Sequence, residues 1–580
     1  MSQLWLEMSK SKYILVAIVL TTSFLRLYKI DSVPVSLFGD ELDVGYHAYS
    51  ILKTARDYQG NFMPLHFQSL AEFRTPLYLY SAVPTVGLFG ITPLGVRLPA
   101  AIFGIAGVWA IYLLAKEWFK SEKVALVGAA VLAFSPWHIQ YSRAAFEVTE
   151  MLFFLMIGLY FFSRSLKNPK YLWLSMVSLA LTPWIYSTAK LFTPALIGFL
   201  ALIYYKELFA MPKKHLVRAI IALVAVGAPI SYSVLFGGGA GRFSYVGVFS
   251  DPTIEPEVGF ARQFDALARG DGGIGLTPTT ADRFFHNKVV FWGDNILNNF
   301  FTTFSGDFLF TEGDINLRHS IDGIGQFYQV EAIPLFIGLG LLFTQVRDRK
   351  LKLLLIFWAI FGVIPAALTR DGGNHATRLI LILPPLVMAI AYGLVKGIDV
   401  VPKIFRTPAV LVYLGVFIFG FVFYQHQYWV HNPRDSERWW HAGWRESIDF
   451  IKEVEGDYEN VVISMRGEPA WIFFAGYFEF EPREWQENFP VGHDVELSGF
   501  GKPSNIGKYY FGIPDAGSVY DFGRVLGPET LYLATAKEVG VNLVKEPERT
   551  PGNVKLLKSV TYPSGEPAYY LFTGTSSERK

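Results

Sequence analysis

The sequence predicts a polytopic α-helical membrane protein that ends in a soluble α/β domain. Of its 580 residues, 52% are hydrophobic and only 17% are charged, which is too apolar for an ordinary soluble protein. Apolar runs long enough to cross about 30 Å of hydrocarbon recur from Tyr13 to about Val430. After that point short β-rich runs, such as NVVISM and TLYLATA, alternate with an amphipathic segment and Gly/Pro turns. We therefore expect a membrane domain at 1–430 and an α/β domain at 431–580.

Charge and cysteine content exclude several classes of protein. The 51 Lys and Arg residues balance the 50 Asp and Glu residues, so no net charge attracts the chain to nucleic acid. The chain has no cysteine, which excludes disulfides, thiolate catalysis and cysteine metal sites. We expect no nucleic-acid partner.

Short basic clusters between the apolar runs predict the topology, because Lys and Arg concentrate in cytoplasmic loops. Placing these clusters and the N-terminus inside gives about eleven transmembrane helices in a multi-pass cell-membrane protein, with outer loops at 31–90 and 236–331 and an extracytoplasmic 431–580. The clusters are Lys116 to Lys123, Ser163 to Lys170, Lys206 to Arg218, Arg347 to Lys352 and Pro402 to Arg406. The stretch Thr75 to Gly90 is short and contains two prolines, so it is expected to lie in the outer interface without crossing.

The first outer loop begins with the adjacent carboxylates Asp40 and Glu41. Neighbouring residues cannot share one helix face, so one acid can point into a cleft while a cation holds the other. That division is how an enzyme keeps a general base distinct from its supporting carboxylate. The alternative is that Asp40 only caps the helix that follows.

A second group follows in SPWHIQYSRAAFE, at the outer end of the third span. Arg143 and Glu147 are spaced i, i+4, which predicts that they meet on one helical face. Charges beside hydrocarbon are costly and favour a functional site. The alternative is an ordinary interfacial ion pair with Trp137 as a membrane anchor.

Positively charged side chains at two short outer turns are unexpected, because Lys and Arg concentrate in cytoplasmic loops. Lys190 lies in one turn, and Arg370, His375 and Arg378 lie in another. A lipid phosphate is the obvious partner, because Arg and Lys bind phosphate by charge-assisted hydrogen bonds. The alternative is that these side chains reach from helix ends to the aqueous interface.

The long loop carries the aromatic and glycine-rich stretch FTTFSGDFLFTEGDINLRHSIDGIGQFY. Asp307, Arg318 and His319 are its candidate substrate contacts, since aromatic faces beside polar groups suit sugars. Simple loop packing is the alternative.

Together these stretches resemble the GT-C membrane glycosyltransferases. This superfamily includes the protein O-mannosyltransferases, the lipid A aminoarabinose transferase and bacterial relatives of the RgtA/B/C/D type. The resemblance covers roughly Tyr13 to Val430. It is carried by FGDE, TPLYLY, GVRLPAAIFG, SPWHIQYSRAAFE and HATRLILILPP.

The resemblance implies an inverting glycosyltransferase that uses a polyprenyl-phosphate monosaccharide at the outer face of the membrane. Asp40 matches the acidic residue at the base position, with Glu41 as its neighbour, and Arg143 and Glu147 match the basic and acidic pair. Lys190, His375 and Arg378 fall where relatives place cations near the lipid phosphate. The implied acceptor is a glycan, lipid or protein; no cofactor is required, although a divalent cation held by carboxylates is compatible with the chemistry.

Two other functions are considered. One is transfer of an oligosaccharide, as in O-antigen ligases and oligosaccharyltransferases. The other is a membrane transporter, which is less favoured because the charges gather at one face and no paired hydropathy halves are visible.

Overall fold

A computed structural model describes residues 2–70, 72–237, 239, 241–271, 277–488 and 496–575. Up to residue 435 the described chain is mainly helical, as the apolar runs predict. The helices of this part are α1 (Ser2–Leu27), α2 (Gly39–Thr54), α3 (Leu77–Phe89), α4 (Pro93–Phe119), α5 (Glu122–Phe134), α6 (Pro136–Ser142), α7 (Val148–Ser165), α8 (Leu172–Ile185), α9 (Ala189–Ile203), α10 (Tyr205–Ala210), α11 (Lys213–Phe236), α12 (Gly241–Val246), α13 (Ile254–Ala268), α14 (Thr280–Phe285), α15 (Lys288–Thr302), α16 (Ala332–Gln345), α17 (Arg349–Phe361), α18 (Ile364–Ala367), α19 (Ala376–Leu379), α20 (Leu383–Gly397), α21 (Lys403–His426) and α22 (Asn432–Asp435).

Within the described residues, six helical segments are long and apolar enough to cross a membrane, and the bent pair α5–α6 adds a seventh. The six are Pro93–Phe119, Val148–Ser165, Lys213–Phe236, Arg349–Ala367, Ala376–Gly397 and Lys403–Asp435. Shorter apolar helices are Leu77–Phe89, Ala189–Ile203 and Gln329–Gln345. A helical protein with several apolar spans is therefore confirmed, whereas the number of eleven spans stays a prediction.

The segment after residue 435 forms one six-stranded sheet with short helices. Its strand order is β4-β5-β3-β6-β8-β7, with β3 parallel to β5 and β6 and the other pairs antiparallel. The elements are α23 (Trp444–Val454), β3 (Asn460–Ser464), α24 (Ala470–Phe478), α25 (Pro482–Asn488), β4 (Ser504–Ile506), β5 (Tyr509–Gly512), α26 (Phe522–Val525), β6 (Thr530–Thr535), α27 (Ala536–Val539), β7 (Val554–Thr561) and β8 (Pro567–Gly574). A small hairpin, β1 (Phe67–Ser69) with β2 (Glu72–Arg74), lies in the first outer loop.

The sheet segment shares a hydrophobic core with the first outer loop. One cluster of buried side chains contains residues from both, and α24 packs directly on α2. A side chain at Gly476 would come within 2.9 Å of Leu42, so glycine allows this close approach. The Tyr477 hydroxyl donates to the main-chain carbonyl of Leu37 at 3.0 Å and accepts from its N–H at 3.2 Å. The two parts therefore fold against each other.

Helix α3 is short for a membrane crossing. Its 13 residues span about 20 Å, against about 30 Å of hydrocarbon. It contains Pro84 and packs between α2 and α4. The placement of Thr75 to Gly90 on one side of the membrane stays a prediction, because α5 and α17 have the same length as α3.

Cysteine labelling tests this placement, because the chain has no native cysteine. Met63→Cys and Phe89→Cys replace exposed residues on either side of α3. We expect a membrane-impermeant maleimide to label both in intact cells, and to label Lys120→Cys, in the predicted cytoplasmic turn, only after permeabilisation. Protection of Phe89→Cys until permeabilisation would mean that α3 crosses.

Candidate active site

The first candidate carboxylate, Asp40, lies in the first turn of α2. The helix begins at Gly39, and Phe38 occupies the N-cap position. The capping hypothesis for Asp40 is therefore wrong, although a negative charge in the first turn still favours the helix. The Asp40 side chain is 47% exposed. A molecule from outside the chain can therefore reach this carboxylate.

Asp40 pairs with Arg74, a residue that the sequence analysis missed. Arg74 Nη2 lies 2.7 Å from Asp40 Oδ1, and Nη1 donates to the Asp40 main-chain carbonyl at 3.2 Å. An adjacent guanidinium favours the ionised form of a carboxylate. The hairpin β1–β2 brings Arg74 back to the start of α2. A single arginine directly before the TPLYLY stretch is the signal that could have found it.

A cluster of buried side chains contacts Arg74. Arg74 Nε lies 3.5 Å from the buried Asp43, which also accepts hydrogen bonds from the hydroxyls of Tyr58 and Ser69. Burial raises the pKa of Asp43 to about 6, while Arg74 opposes that rise. Burial lowers the pKa of His47, which stacks on Tyr58, to about 3. His47 is therefore neutral at pH 7 and the positive charge of the cluster lies on Arg74.

Glu41 points into the protein and is held by Arg97. Arg97 Nε and Nη2 donate to the two carboxylate oxygens at 2.8 Å each, and both side chains are fully buried. The main-chain N–H of Ala145 also donates to Glu41 Oε1 at 2.8 Å. One acid of the adjacent pair is thus enclosed while Asp40 is half exposed. This geometry gives Glu41 a positioning role.

The predicted pairing of Arg143 with Glu147 is wrong. The helix breaks between α6 and α7, so the i, i+4 spacing no longer places the two residues on one face. Arg143 is buried, and its Nε donates to the Tyr428 hydroxyl at 2.9 Å. Its other nitrogens donate to the main-chain carbonyls of Leu25, Lys29 and Val33. Arg143 therefore fastens the end of α1 to the end of α21.

Glu147 is half-buried at the start of α7. Its carboxylate interacts electrostatically with Tyr78 of α3 and Tyr141 of α6. It thus faces the region between the first outer loop and the α6–α7 junction.

The long-loop candidates separate in space. Asp307 is exposed, and its carboxylate accepts a hydrogen bond from Thr311 within a π-helical turn, Asp307–Thr311. The Arg318 guanidinium lies over the ring of Phe38, 4.8 Å from its centroid. Arg318 and Asp40 both act electrostatically on Glu468, which places Arg318 in the same region as the exposed carboxylate.

His319 and His375 lie close together, although the sequence analysis placed them in separate groups. Their ring centroids are 4.9 Å apart. His319 Nδ1 is 2.9 Å from Asp314 Oδ2, and the same oxygen accepts a hydrogen bond from the Ala376 main-chain N–H at 2.8 Å. The long loop is therefore joined to the turn that precedes α19.

Arg378 lines a cavity of about 550 Å³ together with Arg370. Tyr245 and Ser250 contribute polar groups to the same cavity. Arg378 Nη1 donates to the Thr369 hydroxyl at 2.8 Å, which holds its guanidinium at the cavity wall. Guanidinium groups suit a phosphate group. Arg370 also pairs with Asp251 at 2.9 Å, and Asp371 lines the same cavity, so Arg378 is the stronger candidate for phosphate binding.

Lys190 lies beside the hairpin that carries Arg74. Its Nζ is 3.1 Å from His66 Nε2 and donates to the Gly239 carbonyl at 2.8 Å. Burial, assisted by the Lys190 charge, lowers the pKa of His66 to about 4. His66 is a second residue that the sequence analysis missed.

Helix α12 connects the Asp40 and Arg378 regions. It begins beside β2, where Gly241 lies against Phe73, and it ends at Tyr245 and Val246, which line the arginine cavity. Helix α12 therefore lies between the hairpin that carries Arg74 and the cavity.

The C-terminal sheet segment also reaches the Asp40 region. Glu468 Oε1 lies 3.4 Å from His441 Nε2. The hydrogen bond from His441, with help from the charge of Arg318, holds the pKa of Glu468 below its ordinary value, while Asp40 opposes that effect. Glu468 is therefore within electrostatic reach of Asp40. The sequence analysis did not predict the position of Glu468, because it assigned no role to the C-terminal segment.

The buried Glu41–Arg97 pair predicts a large loss of stability on substitution. Arg97→Gln should reduce the free energy of unfolding by about 3 to 5 kcal/mol, because it leaves the Glu41 carboxylate buried without its cation. Lys545→Gln, which removes an exposed pair with Glu566, is the matched control. Thermal unfolding in detergent measures both, and equal melting temperatures would contradict a structural role for Arg97.

Comparison with known proteins connects this geometry to a family. The sequence profile of the family described as dolichyl-phosphate-mannose-protein mannosyltransferase matches residues 74–232. That segment includes Arg74, Arg97, Glu147 and Lys190. No curated protein sequence matches the chain.

Two solved structures are similar to the chain. ArnT from Cupriavidus metallidurans, bound to undecaprenyl phosphate, matches with a TM-score of 0.52 and 11% identity over 96% of this chain and 97% of that one. The archaeal oligosaccharyltransferase AglB from Archaeoglobus fulgidus, in complex with an inhibitory peptide and a dolichol-phosphate, matches with a TM-score of 0.48 and 15% identity over 82% of this chain. The chain spans 64% of the length of AglB.

The similarity to ArnT extends over nearly the whole of both chains and shows a common fold. The profile match is confined to residues 74–232, and the likeness to ArnT is a likeness of fold.

Proposed function

We propose that the chain transfers a monosaccharide from a polyprenyl-phosphate donor to an acceptor hydroxyl at the outer face of the membrane. The observation that carries this proposal is the half-exposed Asp40 carboxylate, held by Arg74, together with a cavity lined by Arg370 and Arg378. A general base and a set of phosphate-binding groups are the two parts that such a transfer needs. The ArnT structure, which shares the fold, contains undecaprenyl phosphate.

Asp40 is the proposed general base. A hydroxyl is a weak nucleophile at neutral pH, and a positioned base accelerates its attack by roughly 10² to 10⁴. Arg74 fixes the carboxylate with a 2.7 Å contact to Oδ1. Arg318 and Glu468 flank this position and would contact the sugar or the acceptor.

Arg370, Arg378 and Lys190 are proposed to hold the lipid phosphate. Arg370 and Arg378 share one cavity, and Lys190 lies beside His66, next to the β1–β2 hairpin. Negative charge builds on the phosphate oxygen as its bond to the sugar breaks. Fixed cations at that point stabilise the transition state more than the ground state.

The proposed reaction is a single displacement. The acceptor oxygen attacks the anomeric carbon as the bond between that carbon and the phosphate oxygen breaks, and the hydroxyl proton moves to Asp40. The configuration at the anomeric carbon inverts. The products are the glycosylated acceptor and the polyprenyl phosphate, and these steps use side chains of the described residues without assigning a role to a metal ion.

For the topology we propose eleven spans, with the site and the sheet segment extracytoplasmic. The helices α1, α4, α5, α7, α8, α9, α11, α16, α17, α20 and α21 would be the spans. This arrangement is supported by the basic clusters at the helix ends, since four of the five contact one another in pairs: Arg164 and Lys167 pair with Glu117, and Lys350 pairs with Glu207. The acceptor would be a glycan, lipid or protein of the cell envelope.

Substitution of Asp40 tests the proposed base. Asp40→Asn keeps the size and the place in α2 but cannot take a proton, so transfer should fall at least about a hundredfold. Asp457→Asn, an exposed acid of the sheet segment, is the matched control and should remain active. The measurement is transfer of labelled mannose from polyprenyl-phosphate mannose to acceptors in native membranes, at equal protein levels.

Wild-type turnover of Asp40→Asn would remove Asp40 from the mechanism. Mass spectrometry of the wild-type product gives a further check. A mass increase of one sugar supports monosaccharide transfer, and addition of an oligosaccharide would contradict it.

Substitution of Arg378 tests phosphate binding. Arg378→Ala should raise the donor KM about tenfold or more, since a hydrogen bond to a charged group contributes about 1.5 to 3 kcal/mol. The inhibition constant of free polyprenyl phosphate should rise in parallel, while the acceptor KM stays unchanged. Arg524→Ala, which removes a cation that is 81% exposed in the sheet segment, is the control. Unchanged donor KM and inhibition constant in Arg378→Ala would assign Arg378 to another role.

A further inference from the structure

Asp314, His319 and His375 form a compact group outside the proposed base and cavity. Each offers one ligand atom, and these atoms all lie within 4.8 Å of one another. Asp314 and His319 belong to the long loop, and His375 belongs to the turn before α19. We propose that this group binds a divalent transition-metal ion, with Zn²⁺ as the best chemical match.

The donor set favours a transition metal. Imidazole nitrogen suits Zn²⁺ and its neighbours, whereas Mg²⁺ and Ca²⁺ prefer sites built from oxygen ligands alone. Zinc sites with two histidines and one carboxylate leave a fourth position for water or another ligand. Zinc–ligand bonds of about 2.0 to 2.2 Å place neighbouring ligand atoms about 3.4 Å apart. The His319–Asp314 contact of 2.9 Å is already close to that value.

The surroundings hold the ligands in place. The Asp314 carboxylate accepts main-chain hydrogen bonds from Ala376 at 2.8 Å and from Asn316 at 2.9 Å. The His319 ring stacks on Tyr141 and meets the edge of Phe146, with centroid distances of 6.1 and 5.5 Å. Such outer contacts orient metal ligands and strengthen binding.

A second Asp–His pair in the same long loop is an ordinary surface ion pair and serves as the comparison. His286 Nε2 lies 2.8 Å from Asp265 Oδ2, with side chains 27% and 42% exposed. The Asp314–His319 pair is 8% and 12% exposed, and it has His375 as a third donor. The third donor and the burial distinguish the proposed site from a surface ion pair.

A bound ion would connect two segments of the outer surface. It would tie the loop that carries Arg318 to the turn between Arg370 and Arg378. This role does not depend on the proposed sugar transfer. The readouts below are therefore metal binding and stability.

The test uses full-length protein purified without a polyhistidine tag. The background carries His426→Ala, because His426 and His431 form an exposed pair with Nε2 atoms 3.3 Å apart that could bind zinc independently. The protein is stripped with a chelator, titrated with ZnSO₄ and desalted. Bound metal is then counted by mass spectrometry and stability is followed by thermal unfolding.

We expect about one Zn²⁺ per chain, a melting temperature that rises by several degrees with Zn²⁺, and no rise with Mg²⁺. His375→Ala and Asp314→Asn should lose both the retained zinc and the stabilisation. His286→Ala should keep both. X-ray absorption of the parent should show nitrogen and oxygen ligands at about 2.0 Å.

Zinc retention and stabilisation that persist unchanged in His375→Ala would overturn the proposal. So would a parent protein that retains no zinc after desalting. Because the parent alone supplies stoichiometry and ligand distances, the proposal remains testable even if a variant does not fold.

Discussion

The bidentate contact between Arg97 and Glu41 is the constraint on which the outer surface depends. Besides the carboxylate, Arg97 holds the main-chain carbonyls of Ile30, Pro34 and Ser36. The helix α4 thereby fixes the path of the chain from α1 into α2, and Ala145 joins the α6–α7 junction to the same carboxylate. With one acid of the pair fixed inward, helical geometry directs Asp40 outward. The exposed carboxylate, its contact with Arg74 and the approach of Arg318 all follow from that anchor.

The sequence predicted the features that depend on composition and local order. Apolar runs and prolines indicated the spans and the short helix α3, and adjacent acids beyond the first span indicated that Asp40 and Glu41 differ in environment. Arg74, His66 and Glu468 were missed because they reach the site through tertiary structure. A hairpin returns Arg74 and His66 to α2, and a sheet more than 400 residues away in sequence supplies Glu468. A single sequence carries no record of such distant contacts.

The failure of the Arg143–Glu147 prediction has a simple physical cause. The i, i+4 rule holds only within a continuous helix. Here α6 is a seven-residue helix bent by 60° from α5, and four residues separate its end from Glu147. Arg143 consequently satisfies carbonyl groups left exposed by the end of α1. The position of Arg143 beside hydrocarbon suggested a catalytic role. In the structure this buried arginine stabilises helix ends.

The contacts between Tyr477 and residues 36 and 37 join positions about 440 apart in the chain. During synthesis residues 36 and 37 are made long before their partner Tyr477 exists. At about 5 to 20 residues per second, roughly 20 to 90 s pass before Tyr477 is made. Throughout that interval Leu42 and its apolar neighbours lack the side chains that pack against them in the folded protein. The contacts of the first outer loop with the sheet segment are therefore completed late in biogenesis, and a nascent chain that stalls before Tyr477 lacks them.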